Sequence, residues 1–259
     1  MNRSLYTGAV GMMTQMKIMD VTSNNIANVN TTGYKTENVV TRSFDEELMI
    51  RIKDLDIAEN NLPFPNVGTV NLGVTVDEVY TDFSTGSFQT TDNPFDLAID
   101  GDGFFEVLYT NDDGETQSFY TRDGSFTVNH LNQLTTKDGY LVSGENGPIT
   151  IVGSSPYIAE DGSVYDGNEI VDKISLVIFE DNGYLRQQGD NLYSTLEGAT
   201  IANTNASVVQ GMLENSNANA VKEMVNLINI SRTYEANQKV VSTSDTLLGK
   251  AVNDIARKV

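Results

Sequence analysis

Residues 3–28 read RSLYTGAVGMMTQMKIMDVTSNNIAN, and the spacing of their apolar side chains decides the fold class. Apolar or small residues recur at alternating steps of four and three, which is the heptad pattern of a helix that packs along one stripe. The stripe consists of Leu5, Ala9, Met12, Met16, Met19, Ser23 and Ile26. A helix over residues 3–28 would be about 39 Å long at 1.5 Å per residue. Gly33, a short distance beyond, suits a helix stop.

The C-terminal region repeats this pattern. Its stripe consists of Ala220, Met224, Leu227, Ser231, Tyr234, Gln238, Val241, Asp245, Leu248, Val252, Ile255 and Val259, with Gln238 and Asp245 as polar interruptions. Neither glycine nor proline occurs between Met212 and Leu248, so the run is compatible with one long helix. We expect a helix over residues 213–256, about 66 Å long if unbroken. Gly249 could end or bend it.

The middle of the chain has a different pattern. Asp-Gly or Asn-Gly occurs nine times, and all nine glycines share the range 100–183: Gly101, Gly103, Gly114, Gly124, Gly139, Gly147, Gly162, Gly167 and Gly183. Such pairs suit type I′ hairpin turns, in which both central residues have positive φ. Apolar residues alternate beside them, as in strands. The pattern therefore predicts an antiparallel β domain of many short strands over residues 74–190.

Together these patterns predict an α+β fold, with an antiparallel all-β central domain flanked by N- and C-terminal amphipathic helices. We expect the helices to pair as an antiparallel coiled coil formed by residues 1–35 and 213–259. Residues 36–73 and 191–212 would be an extended connector. Periodicity alone favours the alternative, a helical layer packed on the β domain of its own chain. A Met-rich stripe makes a lone helix pair marginal, because ordering each Met side chain costs about 1.5–2 kcal/mol.

Composition excludes several classes of function. The chain has 36 acidic and 16 basic residues among 259, a net charge of -20, which argues against binding nucleic acid. It has no cysteine and one histidine, His130, so thiolate chemistry and a multi-histidine zinc site are excluded. No run of residues reaches the ~20 apolar residues of a membrane span. The N-terminus has a poor signal-peptide core, so if the protein leaves the cytoplasm we expect it to do so without a cleaved secretory signal.

The acidity belongs to the middle of the chain. Residues 36–212 contain 30 acidic and seven basic side chains, whereas both terminal regions are slightly basic. Residues 100–103 and 111–115 faintly resemble calcium loops, but neither fits the twelve-residue pattern, and turn chemistry accounts for them. Arg122 could pair with a carboxylate, and we interpret it as the flank of a hairpin. We expect no catalytic, cofactor-binding or metal-binding residue.

Four stretches resemble, in chain order, the motifs of bacterial flagellar basal-body rod and hook proteins. They are residues 22–35 (TSNNIANVNTTGYK), 92–107 (DNPFDLAIDGDGFFEV), 119–128 (FYTRDGSFTV) and 210–248, which runs from QGMLENSNA through NLINISRTYEAN to STSDTLL. The resemblance singles out Asn24, Asn25, Asn28, Gly33, Asp100, Gly101, Gly103, Phe104, Phe105, Arg122, Asp123, Gly124, Tyr234, Glu235 and Asn237. Each motif alone is weak, but together and in this order they are specific.

The resemblance implies a structural subunit of the flagellar rod, the drive shaft between motor and hook. Its partners would be copies of itself, other flagellar axial proteins and the flagellar type III export apparatus, with no nucleic acid and no direct membrane insertion. It would lie in the basal body, outside the cytoplasmic membrane after export. Helical assembly would use the seams of the terminal helices: Leu5, Ala9, Met12, Met16, Met19 and Ile26 on the first, and Met224, Leu227, Tyr234, Val241 and Leu248 on the second.

Several alternatives stay open from the sequence. A hook-type subunit is one, although the chain is short for a typical hook protein. Distal and proximal rod positions are not separated, and the stretch 46–74 could hold the connector of distal rod subunits. A coiled-coil adhesin with a β head fits the periodicities equally well, and a carbohydrate-acting β enzyme fits the middle alone. We also expect the terminal segments to order only on assembly.

Overall fold

The structure of this chain, a computed structural model, describes residues 3–44, 47–50, 66–71, 73–110, 116–153, 156–167, 169–189, 191–202 and 206–256. The chain forms two compact units. Unit 1 contains Met1–Asn24, Glu37–Tyr80 and Val221–Val259, and unit 2 contains Asn25–Thr36 and Thr81–Ala220. These groupings do not follow the three predicted domains, which stay a proposal about the assembled subunit.

Unit 1 contains both long helices and two pairs of strands. Its elements are α1 (Arg3–Ala27), β1 (Glu37–Ser43), β2 (Glu47–Ile50), β3 (Asn66–Val70), β4 (Val74–Thr81) and α2 (Ala220–Ala256). β1 pairs with β4, and β2 pairs with β3 in antiparallel register. Much of the predicted connector stretch 46–74, residues 51–65 included, lies outside the described residues.

The two helices differ in how well the sequence predicted them. The helix expected over 3–28 is confirmed, whereas the helix expected from 213 begins at Ala220. The preceding residues serve the β unit instead: Met212–Glu214 is a strand, and the backbone N–H of Asn215 donates to the Ser87 carbonyl. Gly249 does not end α2, because the helix continues through it to Ala256.

Unit 2 is built of short strands, which confirms the predicted antiparallel β domain and extends it. The strands are β5 (Phe88–Thr90), β6 (Leu97–Asp100), β7 (Phe104–Thr110), β8 (Thr116–Thr121), β9 (Phe126–Val128), β10 (Leu134–Thr136), β11 (Leu141–Gly144), β12 (Gly147–Pro148), β13 (Tyr157–Ile158), β14 (Ser163–Asp166), β15 (Glu169–Lys173), β16 (Leu176–Phe179), β17 (Leu185–Gly189), β18 (Leu192–Thr195), β19 (Ile201–Ala202), β20 (Ser207–Gln210) and β21 (Met212–Glu214).

The main sheet of unit 2 has the order β17-β18-β8-β7-β11-β10-β9, and β16 also pairs with β7. The register of β7 and β8 sets Phe105 opposite Thr121 and Thr110 opposite Thr116. Three smaller sheets accompany it: β13-β14-β15, β20 with β6, and β21 with β5. In the last two sheets, strands that follow the main sheet along the chain, β20 and β21, pair with β6 and β5, which precede it.

Alternating apolar side chains build two cores in unit 2. Phe104 and Phe105 are adjacent on β7 and therefore point to opposite faces of the sheet. Phe105 joins the larger cluster with Leu97 and Phe126, and Phe104 joins the smaller one with Phe179 and Tyr193. The pair of phenylalanines predicted from the family motif thus anchors both cores.

The Asp-Gly and Asn-Gly turns are not the predicted type I′ turns. Six of the nine glycines have positive φ, but among the described residues none of the Asp or Asn residues before them does. Gly114 lies outside the described residues. The aspartates act instead through their side chains: Asp123 and Asp161 each accept a hydrogen bond from the backbone N–H two residues on, at 3.0 Å. This Asx geometry needs no positive φ at the aspartate.

Candidate functional site: the helix pair and a buried charge cluster

Helices α1 and α2 contact each other in unit 1. The hydroxyls of Ser4 and Ser244 are 3.1 Å apart and share a hydrogen bond. Gly8 lies against Val241, and Gly11 lies against Asn237. Residue numbers rise along one helix as they fall along the other, so the two helices run in opposite directions at this contact.

Glycine makes this close approach possible. A Cβ atom at Gly8 would lie 2.8 Å from Val241 Cγ2, and one at Gly11 would lie 2.9 Å from Asn237 Nδ2. Both distances are shorter than a normal van der Waals contact, so a larger residue would push the helices apart. Sequence reasoning predicted an antiparallel helix pair but missed the part that glycine plays in it, although Gly8 and Gly11 inside an otherwise helical stretch were a signal that a partner approaches closely.

The predicted seam residues are only partly covered in a single copy. Met16, Met224 and Leu248 are exposed. The others are half-buried: Leu5, Ala9, Met12, Met19, Ile26, Leu227, Tyr234 and Val241. Of these, Val241 is at the observed contact with α1. Asn237, predicted from the family motif, is also there, whereas Glu235 is exposed.

A second arrangement, in unit 2, brings three charged side chains together out of contact with solvent. Lys35 Nζ lies 2.6 Å from Glu214 Oε1, and Arg122 Nη1 lies 3.4 Å from Glu214 Oε2. All three side chains are at most 1% exposed in these pairs. We call Lys35, Arg122 and Glu214 the clasp.

Backbone groups complete the clasp. Lys35 Nζ donates to the Ser84 carbonyl at 2.7 Å, and Glu214 Oε1 accepts from the backbone N–H of Gly86 at 2.8 Å. The guanidinium of Arg122 also lies over the ring of Phe104, 5.3 Å from its centroid, which is within range of a cation–π contact. These partners compensate for much of the cost of removing three charges from water.

The clasp contains two cations and one carboxylate, and this affects their protonation. Burial lowers the pKa of Lys35 below its usual range, and Glu214 opposes that shift. Burial likewise lowers the pKa of Arg122, again opposed by Glu214. Desolvation disfavours each charged form, whereas Glu214 favours both, with further support from Asp82 at Lys35 and from Asp102 at Arg122. Glu214 is therefore the group that most strongly favours the charged forms of both cations.

The segment before the clasp is fixed by close packing. Gly33 has φ +66, and a Cβ atom there would overlap the backbone of Arg122 and Asp123. Its N–H donates to the Glu214 carbonyl at 2.8 Å. Thr32 Oγ1 donates to Asp123 Oδ1 at 2.7 Å. Gly33 was predicted as a helix stop, but α1 ends earlier, at Ala27. Gly33 instead lets its own segment pass close to the backbone of Arg122 and Asp123.

The four family motifs meet around the clasp. The first motif supplies Lys35 and the hydrogen bond from the Tyr34 hydroxyl to Asn25 Oδ1, at 2.9 Å. The second supplies Leu97, whose N–H donates to the carbonyl of Gly124 in the third motif. The fourth supplies Glu214, three residues before Asn217.

Asn217 links the fourth motif back to the first. Its Oδ1 accepts from the backbone N–H of Thr36 at 2.8 Å, and its Nδ2 donates to the Asp82 carbonyl at 2.8 Å. The remaining motif residues have local roles. Asn28 accepts from Thr31, and a Cβ atom at Gly103 would crowd Ile178 at 3.3 Å. Asn24 is an exposed residue of α1, and Asp100 and Gly101 are exposed where β6 ends.

No catalytic arrangement is evident in the part of the chain that the structure describes. Within it, no group of three or more His, Asp or Glu side chains is placed to hold a metal ion. His130 is exposed, and the calcium-like stretch 111–115 lies outside the described residues. Neither described helix has a segment both long and apolar enough to cross a bilayer.

Comparison with known proteins places three family models on the chain. Residues 5–35 match the flagella basal body rod protein model, residues 98–166 match the flagellar hook protein FlgE/F/G D1 domain, and residues 209–254 match the flagellar basal body rod FlgEFG protein C-terminal model. The first of these covers most of α1, and the last covers most of α2. The clasp residues Lys35, Arg122 and Glu214 fall one in each match.

Curated relatives match over nearly the full length. The flagellar basal-body rod protein FlgG of Bacillus subtilis is 34% identical, covering 98% of this chain and 99% of its own. FlgG of Caulobacter vibrioides is 36% identical, covering 95% of this chain and 97% of its own. The rod protein FlgF of the same organism is 36% identical, covering 99% of both.

Proposed function

Because this chain belongs to the flagellar basal-body rod protein family and is a structural subunit of that rod, we propose that it assembles helically through its two terminal helices. The observation that carries the proposal is the antiparallel contact of α1 with α2 through Gly8 and Gly11. The heptad seams extend well beyond this contact, so we propose that the pair continues as a coiled coil.

Exposed apolar surface on the helices supports assembly. Large hydrophobic side chains of α2 that stay exposed in the single copy are Val221, Met224, Val225, Ile228, Val240, Leu247, Leu248 and Val252. Covering one such side chain gains about 1.5–3 kcal/mol. A soluble monomer rarely exposes so extended an apolar surface unless a partner covers it. We propose that neighbouring subunits cover it.

The partners follow from the family. The chain assembles with other components of the flagellar basal body, and we propose copies of itself and other axial proteins as its direct neighbours. We also propose that the flagellar type III export apparatus delivers it, so that it functions outside the cytoplasmic membrane. The chain acts as a structural part, and its relatives are named as rod proteins rather than enzymes.

The clasp has a supporting role in this proposal. Lys35 lies eight residues after the end of α1, and Glu214 lies six residues before the start of α2. The ion pairs that Glu214 makes with Lys35 and Arg122 therefore fix, on the β unit, the segments that continue into the two assembling helices. We propose that load applied to the helices passes into the β unit at this point.

Truncation tests the proposal, and the structure dictates where to cut. Deleting residues 1–24 and 221–259 removes the helices but keeps Lys35 and Glu214. We expect that the truncated chain is not incorporated into basal bodies and that cells which carry it in place of the full chain are not motile. Its β unit should still unfold cooperatively. Incorporation of the truncated chain would contradict assembly through the helices. An adhesin with a β head would instead keep its ligand.

A further inference from the structure

Two of the nine Asp-Gly and Asn-Gly pairs carry an asparagine: Asn146-Gly147 and Asn182-Gly183. Such a pair can react with itself, because glycine has no Cβ to hinder the approach of its backbone nitrogen to the asparagine side chain. The nitrogen attacks the side-chain carbonyl carbon, Cγ, and the side-chain nitrogen leaves as ammonia with the proton of the attacking amide. Water then opens the succinimide ring to aspartate or isoaspartate. This deamidation turns an amide into a carboxylate and needs no enzyme or oxidant.

Asn146 lies in the turn between β11 and β12, and Asp172 of β15 holds it at two atoms. The side-chain Nδ2 of Asn146 donates to Asp172 Oδ1 at 3.0 Å, and its backbone N–H donates to Asp172 Oδ2 at 3.3 Å. The N–H of Glu145, the other turn residue, donates to the Lys173 carbonyl at 2.9 Å. The turn is therefore fixed on β15 through its backbone and through the reactive side chain.

The attacking nitrogen belongs to an ordered strand. Gly147 pairs with Gly144 in the ladder between β11 and β12. A Cβ atom at Gly144 would lie 2.5 Å from Asp172 Oδ2, so the carboxylate packs directly against this hairpin. For the attack, Cγ of Asn146 must turn towards the nitrogen of Gly147, and this rotation breaks the hydrogen bond to Asp172. The free energy of that local opening sets the fraction of molecules that can react.

The folded unit also has no place for the product. Asp172 is 8% exposed and takes part in no ion pair among the described residues. Its charged neighbours, Glu145 and Lys173, lie 3.8 Å from each other and form a pair of their own. A carboxylate in place of the Asn146 amide would set two carboxylate oxygens where a hydrogen bond now spans 3.0 Å. Like charges so close repel each other, and more strongly in a buried site than in water.

We propose that Asn146 is a deamidation site of the unfolded chain, that Asp172 closes the site when the β unit folds, and that a chain modified beforehand forms a weaker β unit. The inference is independent of the proposed assembly, and Asp172 acts in it as a positioning residue. The second pair serves as an internal reference. Asn182 is exposed, and no hydrogen bond within the described part of the chain holds its side chain. Only the nitrogen is restrained there, because the Gly183 N–H donates to Asp181 Oδ1 at 2.8 Å.

Peptide mass spectrometry of the full-length chain, at one pH and temperature, tests the site and its closure. In urea we expect Asn146 and Asn182 to deamidate at similar rates. In buffer, Asn146 should react at least about tenfold more slowly than in urea, for which an opening free energy of about 1.4 kcal/mol suffices. Absence of reaction at Asn146 in urea, or equal rates there in urea and in buffer, would overturn the proposal.

The role of Asp172 is tested in buffer by Asp172→Ala, which should raise the rate at Asn146 relative to that at Asn182. The matched control is Asp166→Ala, because Asp166 Oδ2 likewise accepts from a turn, at the N–H of Gly153 at 2.8 Å, but does not contact Asn146. Asp172→Asn, which keeps the side-chain volume, replaces Asp172→Ala if alanine prevents folding. Equal acceleration by the variants at the two aspartates would show that Asp172 does not close the site.

Substitutions that imitate the product test its effect on stability. Asn146→Asp should lower the urea midpoint of unfolding, and more so than Asn146→Ser, which loses the same hydrogen bond without adding a charge. The control Asn182→Asp adds the same charge at the exposed pair and should leave the midpoint close to that of the parent. If Asn146→Asp and Asn146→Ser unfold at the same urea concentration, the folded unit tolerates the carboxylate and the proposal fails.

Discussion

At the scale of single residues, Glu214 is the one carboxylate that two buried cations share. Replacing it with glutamine keeps its size but removes the negative charge that Lys35 and Arg122 both contact. Breaking a buried pair in this way costs about 3–5 kcal/mol. We expect Glu214→Gln to lower the free energy of unfolding by about that amount, measured by urea denaturation.

A matched control for this prediction is Glu145→Gln. Glu145 lies 3.8 Å from Lys173 in an exposed pair, for which a loss below about 1 kcal/mol is expected. Equal effects of the two substitutions would show that the clasp does not stabilise the unit. The comparison separates burial from the mere presence of an ion pair.

Lys35 makes stability depend on pH. Burial lowers its pKa in the folded chain, whereas the unfolded chain has a value of about 10.4. Between these values the unfolded state binds a proton that the folded state lacks, so stability from Lys35 rises with pH across this window.

We therefore expect the free-energy difference between the parent chain and Lys35→Met to shift in favour of the parent as pH rises towards about 10.4. Urea titrations over the alkaline range measure it. Burial raises the pKa of Tyr120, which works in the opposite direction, but both chains share that tyrosine and its effect cancels. A difference that falls with pH would contradict the lowered pKa.

The ion pairs of the clasp could not be predicted from the sequence. Arg122 was recognisable as a possible carboxylate partner, but its flanking hairpin favoured a purely local interpretation. Its partner, Glu214, is 92 residues away along the chain, and Glu214 is 179 residues from Lys35. Spacing along the chain carries no information about such pairs. Only the family motifs indicated that these segments matter, and they did not predict which of their residues contact each other.

At the scale of elements, the helix pair depends on small side chains. A Cβ atom at Gly8 would meet Val241, and overpacking of this kind costs about 1–3 kcal/mol. We expect Gly8→Leu to separate α1 from α2. In a Ser4→Cys/Ser244→Cys background, whose hydroxyls are 3.1 Å apart in the parent, the substitution should slow formation of the intramolecular disulfide.

Gly249→Ala is the control for this helix-pair prediction. No atom lies within 4 Å of a Cβ at that position, so alanine should stabilise α2 by about 0.5–1 kcal/mol without affecting the disulfide. If Gly8→Leu leaves disulfide formation unchanged, the helices do not pair through the glycine face.

Helical periodicity predicted both helices but not the face on which they meet. Of the heptad stripe, Val241 is at the observed contact, which otherwise uses glycines, a serine pair and Asn237. Large residues mark surface that must eventually be buried, and small ones mark where backbones approach. The start of α2 was misjudged for another reason: tertiary hydrogen bonds hold residues 212–217 in the β unit although their composition permits a helix.

At the scale of the whole molecule, the net charge of -20 opposes association. The acidic residues are concentrated in 36–212, so copies repel through this region. The Debye length falls from about 10 Å at 0.1 M to about 3 Å at 1 M. We expect the association constant of the purified chain to increase with salt in sedimentation experiments. An association constant that does not change with salt would contradict the idea that charge repulsion keeps free subunits apart.

The α+β class and the order of helix, sheet and helix followed from periodicity, because those signals are local. The sheet order of unit 2 did not, since it returns β20 and β21 to β6 and β5 across more than a hundred residues. No local pattern encodes such long-range pairing.

The distance along the chain between Lys35 and Glu214 also sets the order of events during synthesis. A ribosome releases Lys35 and Arg122 long before Glu214, so the nascent polypeptide carries two cations that cannot yet be neutralised. Nascent chains that stop before residue 214 should therefore stay sensitive to protease. We therefore expect the β unit to mature late in translation, with most of the newly made polypeptide still unfolded until then.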